Sequence, residues 1–242
     1  MDLDGFWELV ERSAEETGSR SARLEWLARR LSALPAEEIV DYECWFTRCA
    51  DRACTWDVYA ACWAVNSSWS SDGYEYFVRW LISLGRADFE KIVTCPDLVF
   101  ELPQIRHVVE LKRTYAHKRT TWSADGGFRL DRVTHTRRQR VPDEVYPEFE
   151  AFAYVPYEVY EARGLDPADL YEAVAARGVY SKFPFLSNYA HPDGERWDYG
   201  DETEFRRRLP RIARQLGMFD ISPDPSEKER GALEITMCPP LG

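Results

Sequence analysis

Apolar residues recur every three or four positions through the first hundred residues, which is the spacing of one helical face. The first such series is Leu3, Phe6, Trp7, Val10 and Ala14. Similar series follow, with proline or glycine standing where helices should begin or end. We therefore expect a mainly α fold, an irregular helical bundle of seven to nine helices.

Two helices of this region are distinctive. The stretch from Trp56 to Val65 is apolar nearly all round, which predicts a helix at the centre of the bundle. The following helix is expected to begin at Asp72, with Glu75 three residues later as in a capping box. The polar turn between them starts at Asn66.

The length of 242 residues fits one large domain. We expect a single helical domain over residues 1–219, followed by a loose tail over 220–242 that contains four prolines.

No apolar run approaches the roughly 20 residues that cross a bilayer. The first residues form an acidic amphipathic pattern unlike a leader peptide, so the sequence predicts a cytoplasmic protein without a membrane partner.

The charge of the chain is unevenly distributed. Between Gln104 and Arg140 stand ten basic and three acidic residues, a net charge of +7 in a chain whose total is -11. The remainder of the chain therefore carries a net charge of -18.

The basic segment is also rich in Thr, Val and aromatic residues and contains the turn signal Asp125-Gly126-Gly127. We expect a β-hairpin insert at about 104–141, with polar strands from Val109 to Trp122 and from Phe128 to Val141.

The basic segment predicts a binding function, because cationic side chains pair with anionic groups while aromatic rings pack against the partner. The residues expected to carry it are Arg113, Tyr115, Lys118, Arg119, Trp122, Arg129, Arg132, Arg137 and Arg138. The acidic remainder would repel a long polyanion, so an acidic protein or peptide is favoured over nucleic acid. An immunity, adaptor or peptide-maturation role would fit. The segment could instead fold onto the acidic surface of its own chain, and complementary charges also allow copies of the chain to associate.

Five sequence blocks occur in an order typical of one family: F-W-x-L-V (Phe6 to Val10), W-D-V-Y-A-A (Trp56 to Ala61), S-D-G-Y-E-Y-F-V-R-W-L-I-S-L-G-R (Ser71 to Arg86), Y-E-V-Y-E (Tyr157 to Glu161) and G-E-R-W-D-Y-G-D-E (Gly194 to Glu202). With these blocks the chain resembles the bacterial domain-of-unknown-function family number 4240. The resemblance implies an all-α domain and implies no reaction. The turn before Asp72 departs from the family pattern, and the basic segment looks like an addition to the common domain.

An enzyme of an unrecognised class is the alternative function. Its acidic site would lie around Asp57, Asn66 and Asp72, with Arg79 orienting a carboxylate, because general acid–base catalysis needs carboxyl groups in differing environments. The same residues have structural explanations. Asp72 stands where a helix cap belongs, and Asp57 could pair with Arg79 across the core.

Cofactor and metal signatures are absent from the sequence. It contains no phosphate-binding loop, no dinucleotide-binding glycine motif and no H-E-x-x-H pair. Cys44, Cys49, Cys54 and Cys62 form no C-x-x-C pair, and neighbours five residues apart face different sides of a helix. We expect no cofactor and no metal, and we expect these cysteines to be buried free thiols.

Overall fold

A computed structural model describes residues 1–66, 70–125, 129–138 and 142–218, with only the backbone described between 112 and 138. The described residues form twelve α-helices: α1 (Leu3–Glu15), α2 (Arg20–Ser32), α3 (Ala36–Ala53), α4 (Trp56–Asn66), α5 (Ser71–Ser83), α6 (Arg86–Thr94), α7 (Pro103–Tyr115), α8 (Val155–Ala162), α9 (Pro167–Ala176), α10 (Phe185–Asn188), α11 (Glu202–Arg208) and α12 (Pro210–Gln215). Three short 3₁₀ helices lie at Pro96–Glu101, Asp143–Val145 and Glu150–Ala153. The prediction of a mainly helical chain is confirmed.

The predicted fold class is nevertheless wrong as stated. Residues 103–115, which include the start of the expected hairpin insert, form helix α7. Ile105 and Val108 lie three residues apart and are both fully buried, so this segment follows the helical period. The β-strands of the described residues are β1 (Ala116–Asp125) and β2 (Arg129–Arg138), which pair antiparallel with each other. The described helical body, residues 1–66, 70–115 and 142–218, contains no β-strand, and it has more helices than the seven to nine expected.

Several helices begin at a polar side chain that caps them. The carboxylate of Asp166 accepts a hydrogen bond from the backbone N–H of Ala168, and the carboxylate of Asp201 accepts from Thr203 and Glu204. The predicted cap of α5 is wrong. Ser70, rather than Asp72, caps this helix by accepting from the N–H of Gly73. The Asp72 carboxylate accepts from the hydroxyl of Ser71 at 3.2 Å instead.

The core is continuous through the described helices, and α4 contributes one buried face to it. Val58, Ala61 and Cys62 are fully inaccessible to solvent, whereas Trp56 and Trp63 on the other side of the helix are half-buried. The predicted position at the centre of the bundle is therefore wrong for that side of α4. Helices α3 and α5 pack against each other, and α8 and α9 pack against α3. This arrangement leaves a cavity beside the facing sides of α3 and α5.

The four cysteines between residues 44 and 62 are free and buried, as predicted. Burial disfavours the charged thiolate, and it raises the pKa of Cys49 and of Cys54 to about 12. These thiols are therefore protonated at neutral pH and behave as small apolar core residues.

Asp97 supports α12 from another part of the chain. Its carboxylate lies in the first 3₁₀ helix, is 8% exposed, and accepts from the backbone N–H groups of Arg211 and Ile212 at 2.9 Å. Replacing Asp97 with alanine should lower the free energy of unfolding by about 2 kcal/mol, because two N–H groups at a helix start lose their acceptor. Urea unfolding would measure this, with the exposed Glu25→Ala as the matched control. Equal stability of the two variants would contradict the prediction.

Candidate functional site

A cavity of about 480 Å³ lies between α3, α5, α8, α9 and the segment from Val179 to Asn188. We call it the Glu43 pocket. Its titratable lining consists mainly of Glu43 from α3 together with Asp72, Glu75 and Arg79 from α5. Its size is typical of cavities that bind small molecules in proteins.

Glu43 is the unusual residue of this pocket. It is only 6% exposed, and its Oε1 accepts a hydrogen bond from the hydroxyl of Tyr157 at 3.1 Å. The hydroxyl of Thr47 also lies 3.5 Å from Oε1, whereas Oε2 is buried and has no hydrogen-bond partner among the described residues. Burial of a charge is costly, and it raises the pKa of Glu43 to about 8 against the smaller opposing effects of Tyr157 and Arg79. The carboxyl is therefore mainly neutral at pH 7.

Glu75 and Arg79 form an ion pair one helical turn apart on α5. The side chains are 8% and 12% exposed, so water screens the pair weakly. Arg79 also donates from Nη1 to the backbone carbonyl of Glu150 at 3.1 Å. Its guanidinium lies 5.0 Å from the ring centroid of Tyr154 and 5.7 Å from that of Tyr76. Burial raises the pKa of Glu75, and the neighbouring Arg79 opposes this rise.

Aromatic rings supply much of the remaining lining. They come from four helices or helical turns and from the closing segment: Phe46, Tyr76, Tyr154, Tyr157, Tyr171 and Phe183. Tyr154 is 42% exposed and Tyr171 is 57% exposed. These two tyrosines therefore lie at the opening of the pocket, while Tyr157 lies deeper beside Glu43.

The segment from Val179 to Asn188 closes one side of the pocket and is held by specific hydrogen bonds. The backbone N–H of Lys182 donates to Oδ1 of Asp51 at 2.9 Å. The amide of Asn188 donates to the carbonyls of Ser181 and Phe183 at 2.8 and 2.7 Å. The wall is thus fixed to α3 and within itself.

A second, wider cleft of about 1010 Å³ lies beyond this segment. Half-buried aromatic rings dominate its lining: Trp56, Tyr59, Trp63, Phe185, Trp197 and Tyr199. Asp57 is beside this cleft, where its carboxylate accepts from Nε1 of Trp197 at 2.9 Å and lies 3.8 Å from Nη1 of Arg208.

The structure brings together two of the four predicted acidic-site residues. Asp72 and Arg79 both line the Glu43 pocket. Asp57 and Asn66 are not among the described residues that line this pocket. Asp57 contacts Trp197 and Arg208, and Asn66 is the last residue of α4. The expected pairing of Asp57 with Arg79 is wrong. The carboxylate that Arg79 orients is that of Glu75.

Sequence reasoning missed Glu43 as a site residue, although the sequence contains a signal for it. Glu43 lies four residues after Ile39 and three before Phe46, on the apolar face of α3. A carboxyl group at such a position must be paired, neutralised or placed at a cavity. Glu75 likewise stands within a buried stretch of α5.

The residues predicted to form a basic binding arm lie in α7, β1 and β2. Arg113 and Tyr115 belong to the end of α7. The others fall in the two strands: Lys118, Arg119 and Trp122 in β1, and Arg129, Arg132, Arg137 and Arg138 in β2. Their side chains are outside the described part of the structure, as is the predicted tail over 220–242.

The described residues show no group of three or more His, Cys, Asp or Glu side chains placed to hold a metal ion. Within the same residues, no helix is both long enough and apolar enough to cross a membrane.

A family model described as a protein of unknown function, DUF4240, matches residues 1–126, just over half of the chain. The match includes α3 and α5, which carry Glu43, Asp72, Glu75 and Arg79. It also continues into the basic segment, which was expected to be an addition to the common domain. No curated protein and no solved structure matches the chain.

Proposed function

The chain belongs to the DUF4240 family, whose function is unknown, and we propose that it binds a small molecule in the Glu43 pocket. The observation that carries the proposal is the buried Glu43 carboxyl, which lines a cavity and leaves Oε2 without a partner among the described residues. A buried polar group without a hydrogen bond is costly in a folded protein. A ligand that bonds to this carboxyl would remove that cost.

The rest of the lining supports a ligand of modest size. Aromatic rings offer contact area, and the ion pair of Glu75 and Arg79 gives one wall a fixed geometry. Hydrogen bonds within the closing segment hold the opposite wall. Such preorganisation lowers the entropy lost on binding.

Thermal-shift screening of a metabolite library against the intact chain would test this function. Ala50 lines the Glu43 pocket and Ala190 lines the second cleft, so Ala50→Leu and Ala190→Leu form a matched pair that fills one cavity each. We expect compounds that raise the melting temperature of the wild type and of Ala190→Leu, but not of Ala50→Leu. Glu43→Gln should weaken the same compounds about fivefold, because an NH2 group replaces one carboxyl oxygen and a typical hydrogen bond contributes about 1 kcal/mol.

The proposal fails if the compounds stabilise Ala50→Leu as well as the wild type, or if Ala190→Leu blocks them instead. Circular dichroism of each variant would show whether it is folded before the comparison is made. Glu43→Gln preserves the shape of the side chain and serves if Ala50→Leu does not fold.

An enzymatic role is a second candidate, favoured by the pKa of Glu43 near 8. A general acid works best when its pKa lies near the working pH, and the neutral carboxyl can donate a proton to a bound substrate. Incubating each bound compound with the wild type and with Glu43→Gln, followed by mass spectrometry, separates the two roles. A product formed by the wild type alone indicates an enzyme.

Contact of the basic segment with an acidic protein or peptide stays a prediction from the sequence, supported by its net charge of +7. Association of copies and a cytoplasmic location also stay predictions. Affinity capture with the intact chain and with a chain lacking residues 116–138 would test the contact. Retention of an acidic protein by the intact chain alone is the expected result.

A further inference from the structure

The charges around the Glu43 pocket are unbalanced once its internal ion pair is considered. Three carboxyl groups and one guanidinium line the cavity. The guanidinium of Arg79 is paired with Glu75 and also donates to the carbonyl of Glu150. What remains of the titratable lining is the Asp72 carboxylate, exposed at the rim, and the mainly neutral Glu43 carboxyl inside. An anionic ligand would meet no further cationic side chain in the described lining.

We propose that the ligand of the Glu43 pocket is a primary amine or a similarly compact organic cation, whose charged group contacts the tyrosine rings and pairs with Glu43. This inference rests on the proposed function, because it names the chemical class of ligand for the same cavity.

Several tyrosine rings line the pocket, and one of them already contacts a cation. Tyr154 already contacts the guanidinium of Arg79, at 5.0 Å from its ring centroid. Tyr157 and Tyr171 line the same cavity from α8 and α9. The face of an aromatic ring attracts a cation within about 6 Å, and the attraction strengthens where water is excluded.

The surroundings of Glu43 determine how it would meet a cation. On its own helix it is accompanied by Tyr42, Cys44 and Thr47. Arg79 approaches from α5, and Tyr157 from α8 donates to Oε1. None of these groups forms a hydrogen bond with Oε2, which is unpartnered among the described residues. Because Oε2 is closed off from solvent, a ligand N–H donor reaches this unused acceptor after the side chains around it shift.

Pairing with an ammonium group requires the ionised form of Glu43. At pH 7 the carboxyl carries a proton, because its pKa is about 8. Binding then breaks the O–H bond of Glu43, releases that proton to the buffer, and forms an N–H···O hydrogen bond to the carboxylate. The ligand keeps its own charge throughout. One bound cation thus releases close to one proton at pH 7.

Titration calorimetry in two buffers of different ionisation enthalpy, phosphate and Tris, measures this proton release. The probes are benzylamine and tyramine, each compared with its matched alcohol, benzyl alcohol and tyrosol. We expect each amine to bind about tenfold more tightly than its alcohol, as a charge-assisted hydrogen bond provides. Release should be close to one proton per amine at pH 7, and Glu43→Gln should abolish it. The exposed Glu25→Gln is the control and should change neither quantity.

The outcomes separate this inference from the proposed function. Equal binding of amines and alcohols, or amine binding that releases no proton and ignores Glu43→Gln, overturns the cationic ligand. The cationic ligand is also overturned if Ala50→Leu blocks the binding of neutral or anionic library compounds and no cation binds. In that case the pocket is still a binding site, and the proposed function stands. If no compound of either set binds in the pocket, both proposals fail.

Discussion

Replacing Arg79 with methionine is expected to lower the free energy of unfolding by roughly 3–5 kcal/mol, the usual cost of removing one partner from a buried ion pair. The change leaves the Glu75 carboxylate, 8% exposed, without its counter-ion. It also removes the hydrogen bond to the carbonyl of Glu150 and the contact with the Tyr154 ring. Urea unfolding at pH 7 would measure the loss.

The double variant Glu75→Gln/Arg79→Met should recover much of this stability, because no uncompensated charge is then buried. The matched control is Arg86→Met, which removes an arginine from an exposed pair with Asp4. The Arg86 and Asp4 side chains are 47% and 82% exposed, so the control should cost no more than about 1 kcal/mol. If Arg79→Met is as stable as Arg86→Met, the pair does not hold this wall of the pocket.

Helical periodicity in the sequence predicts most of the helical core. Phe6, Trp7 and Val10 are buried on one face of α1. The segment after Trp56 forms a helix with one buried face, although it does not lie at the centre of the bundle as expected. The helix predictions succeed because burial of one face is a local property with a fixed period. A proline also separates the last two helices, since α11 ends at Arg208 and α12 begins at Pro210.

The prediction for residues 104–141 was wrong where tertiary packing decided the outcome. β-Branched and aromatic residues raise the strand propensity of this segment. Ile105 and Val108, however, are buried and lie at helical spacing. Local propensity differs by only about 1 kcal/mol between residue types. Burial of two such side chains contributes more than that, and this part of the segment therefore continues as α7.

The candidate site was predicted only in part, because the fold, and not the local sequence, determines which distant side chains come together. The sequence places Asp57 and Asp72 in successive helices. In the structure, however, Asp72 lines the Glu43 pocket and Asp57 lies beside the second cleft, with the closing segment of residues 179–188 between the two cavities. Glu43, from a helix further back, meets Tyr157 of α8 across 114 positions. No spacing rule relates such residues. The usable signal was a carboxyl group on an apolar helical face.

Glu43 should also make the stability of the chain depend on pH. Its pKa is about 8 in the folded chain, against 4.5 for an ordinary glutamate as in the unfolded chain. Between pH 4.5 and pH 8, therefore, the folded chain holds a proton that the unfolded chain has lost. Stability from this group is fully present below pH 4.5 and falls as the pH rises through 8. The loss amounts to roughly 5 kcal/mol, since one pKa unit corresponds to about 1.4 kcal/mol.

Glu43→Gln keeps the shape of the protonated carboxyl and cannot lose a proton. We therefore expect the variant to match the wild type near pH 4.5 and to exceed its free energy of unfolding by several kcal/mol above pH 8. Other carboxyl groups titrate in both proteins, so the quantity to compare is the difference between them across the range, measured by urea unfolding. A difference that stays constant from pH 4.5 to pH 9 would show that Glu43 is ionised in the folded chain, and that it is neither a proton donor nor a proton-releasing partner for a cation at pH 7.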